Sequence, residues 1–439
     1  MKVLIFGLGR SGRALLDFFK DRSDVWVYDD KEVDIKKLQE EFGEVEFYNP
    51  KIDYDLLALS PGPSMDHWLI KSFQEKKVAI KGELEIASQY LKGDILAITG
   101  TNGKTTTSSL VKAMVEKQFA RSFIGGNIGI PLISYVKDSQ EGDVYIVEVS
   151  SFQLETIVNF TPKLSALLNI TPDHISWHGS MDKYIDAKFR IWENNFPKQI
   201  KVINEDDGFL LEEANLRYNK TEDFYRFSVK KKVDKGAYME DNILYLALDK
   251  RKELIRLDEL LLTGEHNLSN ALAASLIASL YGVKDKFIIE VLKEFTSLEH
   301  RYEVLEEKKG RRFINDSKAT NVDSALPALR SASRPTVLIA GGMDKKVPLA
   351  PLFENWNHAI KHLILFGETK DELAENAQKI SAFTDIYIVN NLDEAFSKAM
   401  ELSSSGWDIL FSPACASWDM YESFEIRGKH FKDLYRRLK

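Results

Sequence analysis

The stretch ITGTNGKTTT, from Ile98 to Thr107, decides how the centre of the chain folds. It follows the apolar run Ile95–Ile98 and leads into Ser108–Met114, which can form a helix. A strand, a glycine-containing turn and a helix start make a phosphate cradle, because backbone N–H groups and the helix N-terminus face the anion. The sequence therefore predicts a nucleoside triphosphate site.

This stretch matches the general phosphate-loop pattern only in part. G-x-x-x-x-G-K-[ST] needs a glycine where this chain has Ile98, and the chain has instead the shorter Gly100-Thr-Asn-Gly103-Lys104-Thr105. In such a loop the lysine reaches the β- and γ-phosphates, and the hydroxyl that follows it binds Mg²⁺. A glycine-rich turn with a chance lysine remains the alternative.

Length and composition bound the class of protein. With 439 residues, 44% hydrophobic and 29% charged, the chain is long enough for two or three ordinary globular domains. A net charge of -8 argues against nucleic acid or an anionic membrane as the main partner. The single cysteine, Cys415, excludes an intramolecular disulfide framework and a cysteine-built zinc site. No apolar run approaches the ~18 residues that span a membrane, and MKVLIFGLG is too short for a signal peptide, so we expect a cytoplasmic protein.

The first segment, residues 1–92, alternates β-rich and helical patterns, as in VLIFGLG, RALLDFF, VWVYDD and IKKLQEEF. This alternation predicts a doubly wound α/β domain. Gly7, Gly9 and Gly12 form G-x-G-x-x-G after the first strand, and Asp29 and Asp30 end the second strand, where a Rossmann fold holds a ribose. Any nucleotide diphosphate fits such a turn, so its identity stays open, as does a purely structural role for the glycines.

The second segment, residues 93–297, carries polar side chains at predicted strand ends. DVYIVEVSSFQLE puts Glu148 late in a buried strand, where NTPases hold Mg²⁺. LSALLNITPDH brings Asp173 and His174 to the tip of the next strand, and ligands bind off such tips in open α/β sheets. A hydrogen-bonded loop histidine is the alternative for His174. GEHNLSNALAASLIASLYG predicts an amphipathic helix ending at Gly282.

The third segment, residues 298–439, alternates again and predicts a second doubly wound unit. TVLIAGG, HLILFGE, DIYIVN and DILFSP indicate buried strands, and helices are expected near Leu349–Lys361, Lys370–Ile380, Leu392–Leu402 and Lys429–Leu438. The prediction is therefore an α/β chain of three domains: a Rossmann-like domain (1–92), a central P-loop NTPase-like domain (93–297) and a C-terminal Rossmann-like domain (298–439).

Several motifs occur in a fixed order along essentially the whole chain. ITGTNGKTTT resembles the ATP loop that the Mur ligases share with folylpolyglutamate synthase. VEVSSFQLE, NDSKATN (Asn315–Asn321) and SPACASWDMYESFEIRG (Ser412–Gly428) are similar to the branch of the Mur ligase family that adds D-glutamate. One departure is visible: after His174 the family usually shows an aspartate and a basic residue, where this chain has Ser176 and Trp177.

The resemblance implies an ATP-dependent amide ligase of peptidoglycan precursor synthesis, and hence of cell-wall biogenesis and cell division. Such an enzyme adds D-glutamate to UDP-N-acetylmuramoyl-L-alanine through an acyl phosphate, with ATP and two Mg²⁺ ions. The first domain would hold the uridine diphosphate, the central one ATP and Mg²⁺, and the third the amino acid. We also expect a monomer, with small molecules as its partners. The preference for the D enantiomer comes entirely from the resemblance.

The resemblance also implies site residues. The expected catalytic residues are Lys104, Glu148, His174 and Lys188. The expected metal-binding residues are Thr105, Glu148, His174 and Lys188. The expected ATP-binding residues are Gly100, Thr101, Asn102, Gly103, Lys104, Thr105, Thr106, Asn270, Arg301 and Asp316. The expected residues for the uridine-linked substrate are Gly9, Arg10, Ser11, Asp29, Ser60, Gly62, Asn127, Gln153 and His174. The expected residues for D-glutamate are Lys318, Thr320, Lys345, Ser417 and the backbone of Phe424.

Lys188 matches the position where the family carries a carbamylated lysine. A free ammonium beside Mg²⁺ would be repulsive, whereas a carbamate is an anionic oxygen ligand. Without the family, an exposed lysine on a helix spanning Asp182–Asn194 would be the ordinary interpretation.

Three other classes of protein compete with this reading. Folylpolyglutamate synthase shares the loop and the reaction type but lacks a G-x-G-x-x-G domain ahead of it. A nicotinamide oxidoreductase would leave Lys104 and NDSKATN without a role. A non-catalytic nucleotide-binding regulator would not need Glu148, His174 and Lys188 together.

Overall fold

The computed structural model describes residues 1–194, 199–218, 221–262, 264–296, 298–354, 356–379 and 385–438, with only the backbone of Ser176. The strands are β1 (Lys2–Phe6), β2 (Asp24–Tyr28), β3 (Glu46–Phe47), β4 (Leu56–Leu59), β5 (Ala79–Gly82), β6 (Asp94–Thr99), β7 (Ser122–Gly126), β8 (Val144–Glu148), β9 (Leu164–Leu167), β10 (Ile200–Asn204), β11 (Tyr225–Ser228), β12 (Gly236–Glu240), β13 (Ile243–Ala247), β14 (Arg251–Arg256), β15 (Glu303–Val304), β16 (Arg312–Asn315), β17 (Thr336–Ala340), β18 (Ile360–Leu365), β19 (Ile386–Ile388) and β20 (Asp408–Phe411).

The α-helices are α1 (Arg10–Phe19), α2 (Ile35–Phe42), α3 (Trp68–Glu75), α4 (Glu83–Tyr90), α5 (Lys104–Glu116), α6 (Ser151–Leu154), α7 (Ile175–His178), α8 (Met181–Phe189), α9 (Gly208–Arg217), α10 (Glu265–Tyr281), α11 (Asp285–Glu294), α12 (Val322–Arg330), α13 (Lys370–Gln378), α14 (Leu392–Leu402) and α15 (Phe424–Arg437). In the part of the chain covered by the structure, no helix is both long enough and apolar enough to cross a bilayer.

The chain divides into two compact units. The first unit comprises Met1–Ile170, Trp177–Leu260 and Ser269–Glu294, and the second comprises Thr171–Ser176, Leu261–Leu268 and Phe295–Lys439. The first unit contains a five-stranded and a nine-stranded sheet, and the second contains a six-stranded sheet. The predicted α/β class is confirmed. The domain boundaries stay predictions, and Ser297, the expected end of the central domain, lies outside the described residues.

The five-stranded sheet has the order β3-β2-β1-β4-β5, and all its neighbouring strands are parallel. Its central strands are almost wholly apolar and buried, which is typical of parallel sheets covered on both faces. The predicted glycine turn follows β1. A Cβ on Gly12 would lie 1.7 Å from the carbonyl oxygen of Gly7, so this close packing of strand and helix requires glycine.

The nine-stranded sheet has the order β14-β13-β12-β11-β10-β9-β6-β8-β7. Pairing is parallel from β7 through β12, and β13 and β14 extend the sheet as antiparallel strands. Strand β6 lies between β9 and β8, so the loop that follows it emerges at the middle of the parallel region. Helix α5 begins at Lys104, earlier than the helix predicted over Ser108–Met114. Because the neighbouring parallel strands β6, β8 and β9 end at the same edge of the sheet, the residues that follow them meet there.

The six-stranded sheet has the order β15-β16-β20-β17-β18-β19, with β15 as an antiparallel edge strand. The helix predicted over Leu392–Leu402 is confirmed as α14, and α13 ends at Gln378, while Ile380 lies outside the described residues. The helix expected over Leu349–Lys361 is wrong. Only a 3₁₀ turn, Ala350–Phe353, forms there and β18 begins at Ile360, because the chain turns at Asn357, whose Oδ1 accepts from the N–H of Ala359, and then pairs with β17.

Two buried carboxylates fix the start of α4, which follows the five-stranded sheet. Glu83 accepts a hydrogen bond from the N–H of Ile133 at 2.6 Å, and burial raises its pKa to about 7. Glu85 accepts from the backbone N–H groups of residues 158–160. These bonds tie the helix to two loops of the nine-stranded sheet.

We predict that Glu83→Gln makes stability less sensitive to pH. The folded pKa of Glu83 lies above its ordinary value of 4.5, so between those values the folded chain holds more protons than the unfolded chain, and stability falls as pH rises. The free energy of unfolding of the variant, relative to that of wild type, should therefore be higher at pH 8 than at pH 5 by up to about 3 kcal/mol. Urea unfolding at both pH values measures this. Glu40→Gln, which removes an exposed carboxylate on α2, is the control. If the free energy of unfolding changed with pH equally in Glu83→Gln and wild type, the prediction would be contradicted.

Candidate active site

The loop after β6 turns sharply at Gly103, whose φ of +82° lies in the left-handed region. A Cβ there would come within 2.3 Å of Oδ1 of Asn270 on α10. Glycine is therefore needed for both the backbone conformation and the close approach. The turn aims the N-terminus of the 13-residue helix α5 at the space beyond the strand end, where its first N–H groups can hold an anion.

The side chains of this loop hold its shape and present oxygen ligands. Lys104 Nζ donates to the carbonyl oxygens of Gly100, at 2.8 Å, and Thr101, at 2.7 Å. The hydroxyl of Thr105 donates to Oε2 of Glu148 at 2.6 Å. The amide of Asn127 donates to the other oxygen of Glu148 at 2.7 Å.

A cradle of glycine backbone, a lysine and a hydroxyl beside a carboxylate suits ATP and Mg²⁺. Hard oxygen donors are the ligands that Mg²⁺ prefers, and Thr105 and Glu148 supply them side by side. Glu148 is 2% exposed and ends the buried strand β8, as predicted. Thr106 is buried in the first turn of α5.

Asn169, which follows β9, was missed by the sequence analysis. Its carbonyl accepts from the N–H of Thr101, and its side chain accepts from the N–H of Asn102 and donates back to the carbonyl of that residue. The N–H groups of Thr101 and Asn102 are thus committed to Asn169, and the roles of these two residues in ATP binding stay predictions. The signal was available, because Asn169 stands at the end of a strand next to β6.

Lys188 is buried, with 2% exposure, so the interpretation as an exposed lysine is wrong. It lies on α8 and its Nζ donates to the carbonyl of Gly100 at 2.8 Å. On the same helix, the hydroxyl of Tyr184 is 2.8 Å from that of Thr101. Lys188 therefore reaches the phosphate loop itself.

Four of the residues predicted for the uridine-linked substrate lie near the glycine turn of the five-stranded sheet: Gly9, Arg10, Ser11 and Asp29. Gly9 is the N-cap of α1, and Arg10 and Ser11 are its first residues. Arg10 donates to the carbonyl of Gly129 at 3.4 Å. Asp29 is committed within the fold, since its Oδ2 accepts from the N–H of Leu8 at 2.6 Å. This bond holds the glycine turn, and a contact of Asp29 with a ribose stays a prediction.

Three of the predicted substrate residues line one cavity of the first unit: Ser60, Gly62 and Gln153. Trp177, where this chain departs from its family, lines it too. Its indole N–H donates to the carbonyl of Gly62 at 2.9 Å, and its ring packs on Phe152 with centroids 4.5 Å apart. The departure thus places an aromatic wall on the cavity.

In the second unit, the residues predicted for D-glutamate gather at the carboxyl ends of three adjacent parallel strands. Lys318 and Thr320 follow β16, Ser417 follows β20 and Lys345 follows β17. Phe424 is the first residue of α15, at a helix N-terminus suited to a carboxylate. Nζ of Lys318 lies 3.9 Å from the centroid of the Phe424 ring.

Arg427, also missed by the sequence analysis, connects these loops. It is fully buried and donates to the carbonyl oxygens of Ser317, Cys415 and Ala416 and to the hydroxyl of Ser317. Burial lowers its pKa to about 10. Its partners are neutral oxygens of loops far apart in the sequence, which no local motif reveals.

Asp173 and His174 belong to the second unit. Asp173 is nearly buried and accepts from Nζ of Lys345 at 3.2 Å and from the amide of Asn321 at 3.1 Å. His174 has a φ of +54°, an uncommon conformation outside glycine, and its ring lies 3.6 Å from Asp173. Its metal-binding role stays a prediction.

Of the other residues predicted for ATP, Arg301 and Asp316 lie in the second unit. Asp316 accepts from the hydroxyl of Ser412 at 2.7 Å and from the N–H of Tyr302 at 3.0 Å. Burial raises the pKa of Asp316 to about 7.

A phosphate cradle beside a pair of oxygen ligands, at the edge of a parallel sheet, fits an enzyme that uses ATP and Mg²⁺. The family model of the Mur ligase middle domain matches residues 98–278, and that of the Mur ligase glutamate ligase domain matches residues 300–415. The chain belongs to the Mur ligase family, as the resemblance predicted.

Curated relatives match over the whole chain. The UDP-N-acetylmuramoylalanine–D-glutamate ligase of Thermoanaerobacter pseudethanolicus is 42% identical over 455 residues, covering 100% of this chain and 98% of the relative. The enzyme of that name from Clostridioides difficile is 40% identical over 451 residues, covering 100% and 99%.

Solved structures share the fold. UDP-N-acetylmuramate–alanine ligase from Thermotoga maritima aligns with a TM-score of 0.62 and 20% identity over 100% of both chains. The MurF ligase of that organism, in complex with ADP, aligns with a TM-score of 0.59 and 16% identity over 88% of each chain. The predicted three-domain α/β architecture is confirmed at the level of the fold.

We predict that Gly103→Ala abolishes tight ATP binding, because the added Cβ would strain the turn and displace Asn270. Gly142→Ala is the matched control, since Gly142 has a similar φ of +86° and nothing within 4 Å of its Cβ position. The positive φ should cost both variants about 1 kcal/mol of stability, and Gly103→Ala should lose more because its Cβ also displaces Asn270. Only Gly103→Ala should raise the Kd for ATP, by at least about ten-fold, in calorimetric titration. Equal ATP affinities would contradict the assignment of the loop.

Proposed function

We propose that this chain adds D-glutamate to UDP-N-acetylmuramoyl-L-alanine and converts ATP to ADP and phosphate in the reaction. The observation that carries the proposal is the hydrogen-bonded pair of Thr105 and Glu148 beside the lysine-bearing phosphate loop. The names of the full-length relatives support the choice of substrates. The location is inferred to be the cytoplasm, where ATP is available.

The proposed reaction has two steps. The alanyl carboxylate attacks the γ-phosphorus of ATP, and ADP leaves with the electrons of the broken P–O bond. The amine of D-glutamate then attacks the acyl carbon, and phosphate leaves after a tetrahedral intermediate has lost a proton. The first step joins two anions, so positioning and charge neutralisation supply most of the rate. The N-terminus of α5 and Lys104 would provide that neutralisation.

Thr105 and Glu148 would hold one Mg²⁺ ion, and a carbamylated Lys188 is proposed as an oxygen ligand of a second, while the metal-binding role of His174 stays a prediction. A bound Mg²⁺ supplies charge stabilisation to the phosphate oxygens. For the amino acid, Lys318, Lys345 and the helix N-terminus at Phe424 offer positive charge to two carboxylates, and Thr320 and Ser417 offer hydroxyl groups.

Phosphate release tests the proposal. Purified enzyme is given ATP, Mg²⁺ and UDP-N-acetylmuramoyl-L-alanine, and release is compared with D-glutamate, with L-glutamate and with no amino acid. We expect release only with D-glutamate. Release without an amino acid, or a preference for L-glutamate, would refute the proposed activity.

We predict that Lys104→Ala and Lys188→Ala each lower the turnover rate at least about 100-fold. The first removes a positive charge proposed to neutralise the phosphates, and the second removes a proposed metal ligand beside them. Lys183→Ala, which removes an exposed lysine from the same helix α8 as Lys188, should keep the wild-type rate. Short carboxylic acids should partly restore Lys188→Ala. A fully active Lys188→Ala that is indifferent to bicarbonate would exclude a carbamate.

We predict that Lys345→Ala raises the KM for D-glutamate about ten-fold or more with little change in the KM for ATP. The control is Lys346→Ala, because Lys346 is the exposed neighbour that pairs with Asp344. Steady-state kinetics with each substrate varied separately measures both effects. A change confined to the KM for ATP would show that the role of Lys345 is misassigned.

A further inference from the structure

The cavity of the first unit is built by three pieces of chain. One wall is the turn after β4 with Ser60 and Gly62, the second is the start of α4 with Glu83, and the third is α6 with Gln153. The Trp177 side chain borders it, hydrogen-bonded to the turn at the carbonyl of Gly62. The cavity thus lies where the carboxyl edge of the five-stranded sheet meets the nine-stranded sheet.

Two buried polar atoms belong to residues that line this cavity. Among the described residues, neither Nε2 of Gln153 nor Oε2 of Glu83 has a hydrogen-bond partner. Gln153 is 3% exposed and Glu83 is 1% exposed, so bulk water does not satisfy them. Leaving such an atom unpaired costs about 1–3 kcal/mol, which is a reason to expect a partner.

The remaining polar atoms of both side chains are committed to the fold, and this fixes their orientation. Oε1 of Gln153 accepts from the N–H and the hydroxyl of Ser150, in the capping box of α6. Oε1 of Glu83 accepts from the N–H of Ile133. The Gln153 amide cannot exchange its oxygen and nitrogen without losing the bonds from Ser150, so it presents a donor, and the second oxygen of the ionised Glu83 carboxylate presents an acceptor.

A donor and an acceptor on neighbouring walls complement a group that carries both a C=O and an N–H. We propose that Gln153 and Glu83 together bind a secondary amide of the uridine-linked substrate, with Nε2 donating to the amide oxygen and Oε2 accepting from the amide N–H. Glu83 is thereby a substrate-positioning residue for the ligase. The inference rests on the proposed function, which supplies the substrate.

The location favours the part of the substrate beyond the diphosphate. A Cβ on Gly7 would lie 2.8 Å from Oγ of Ser60, so the glycine turn proposed for the diphosphate adjoins the wall of the cavity. Beyond its diphosphate, UDP-N-acetylmuramoyl-L-alanine carries two secondary amides, one in the N-acetyl group and one in the lactoyl-alanine link. Both have the same hydrogen-bonding chemistry.

Two nearly isosteric variants test the pair. Glu83→Gln keeps an oxygen for the N–H of Ile133 and puts an NH₂ group where the acceptor was. Gln153→Glu keeps the capping box, which accepts Glu or Gln, and puts an oxygen where the donor was. The Kd of wild type and of each variant is measured by calorimetry for UDP-N-acetylmuramoyl-L-alanine, UDP-N-acetylglucosamine and UDP-glucose, and thermal unfolding is recorded in parallel.

We expect each variant to raise the Kd for UDP-N-acetylmuramoyl-L-alanine about ten-fold. The Kd for UDP-glucose, which has no amide beyond its diphosphate, should change less than about two-fold. If the Kd for UDP-N-acetylglucosamine rises as well, the N-acetyl amide is the group bound. If only the complete substrate is affected, the lactoyl-alanine amide is bound. Either result supports the proposal that Gln153 and Glu83 together bind an amide of the substrate.

Two results would overturn the proposal. Variants that unfold at lower temperature but keep wild-type Kd values would show that the pair holds only a structural water. Variants that raise the Kd for UDP-glucose as much as the Kd for the complete substrate would show a general distortion of the binding site. The proposed function is judged separately, because its failure would appear as wild-type protein that neither binds the complete substrate nor releases phosphate with D-glutamate.

Discussion

The left-handed turn at Gly103 is the constraint on which the rest of the first unit's site depends. It lets α5 begin immediately after the loop, and the close approach of Asn270 leaves no room for a side chain there. Asn169 from the neighbouring strand end and Lys188 from α8 then hold the loop backbone. Helices and strands from four parts of the chain therefore depend on one glycine.

In the second unit, a buried cation has the corresponding role. Arg427 places a charge among neutral oxygens, and burying a charge without a carboxylate partner is costly unless its N–H groups are hydrogen-bonded. Each of those bonds restrains the loop after β16 or the loop after β20. The planar guanidinium holds both loops in a fixed relation, which an ammonium could not do with the same geometry.

The local parts of the site could be predicted from the sequence because each is a short motif on a strand end. The phosphate loop, Glu148 and the glycine turn after β1 are of this kind, since strand, turn and ligand-binding group are consecutive in the chain. Arg427 was missed because its importance lies in bonds to backbone groups of other segments, whereas Asn169 stands at a strand end and was open to prediction. The helix predicted over Leu349–Lys361 was wrong because the end of that stretch joins β18, and its pairing with β17 is not visible in the local sequence.

Other differences come from the packing of distant segments. The acidic side chain after β2 has a role in the fold that the sequence did not reveal, because Asp29 accepts a hydrogen bond from the N–H of Leu8. The burial of Lys188 depends on how α8 packs on the phosphate loop, which periodicity alone does not reveal. Site residues predicted for one substrate also contact those predicted for another, as Asn127 does with Glu148.

The contact of Lys188 with Gly100 has a chemical consequence. Addition of carbon dioxide to an amine leaves one N–H on the nitrogen and reverses the charge of the group from +1 to −1. The bond from Nζ to the carbonyl of Gly100 needs only one N–H, so it can survive that change. Modification of this lysine could thus convert the electrostatic field at the loop from repelling to attracting a metal cation, while the backbone stays where it is.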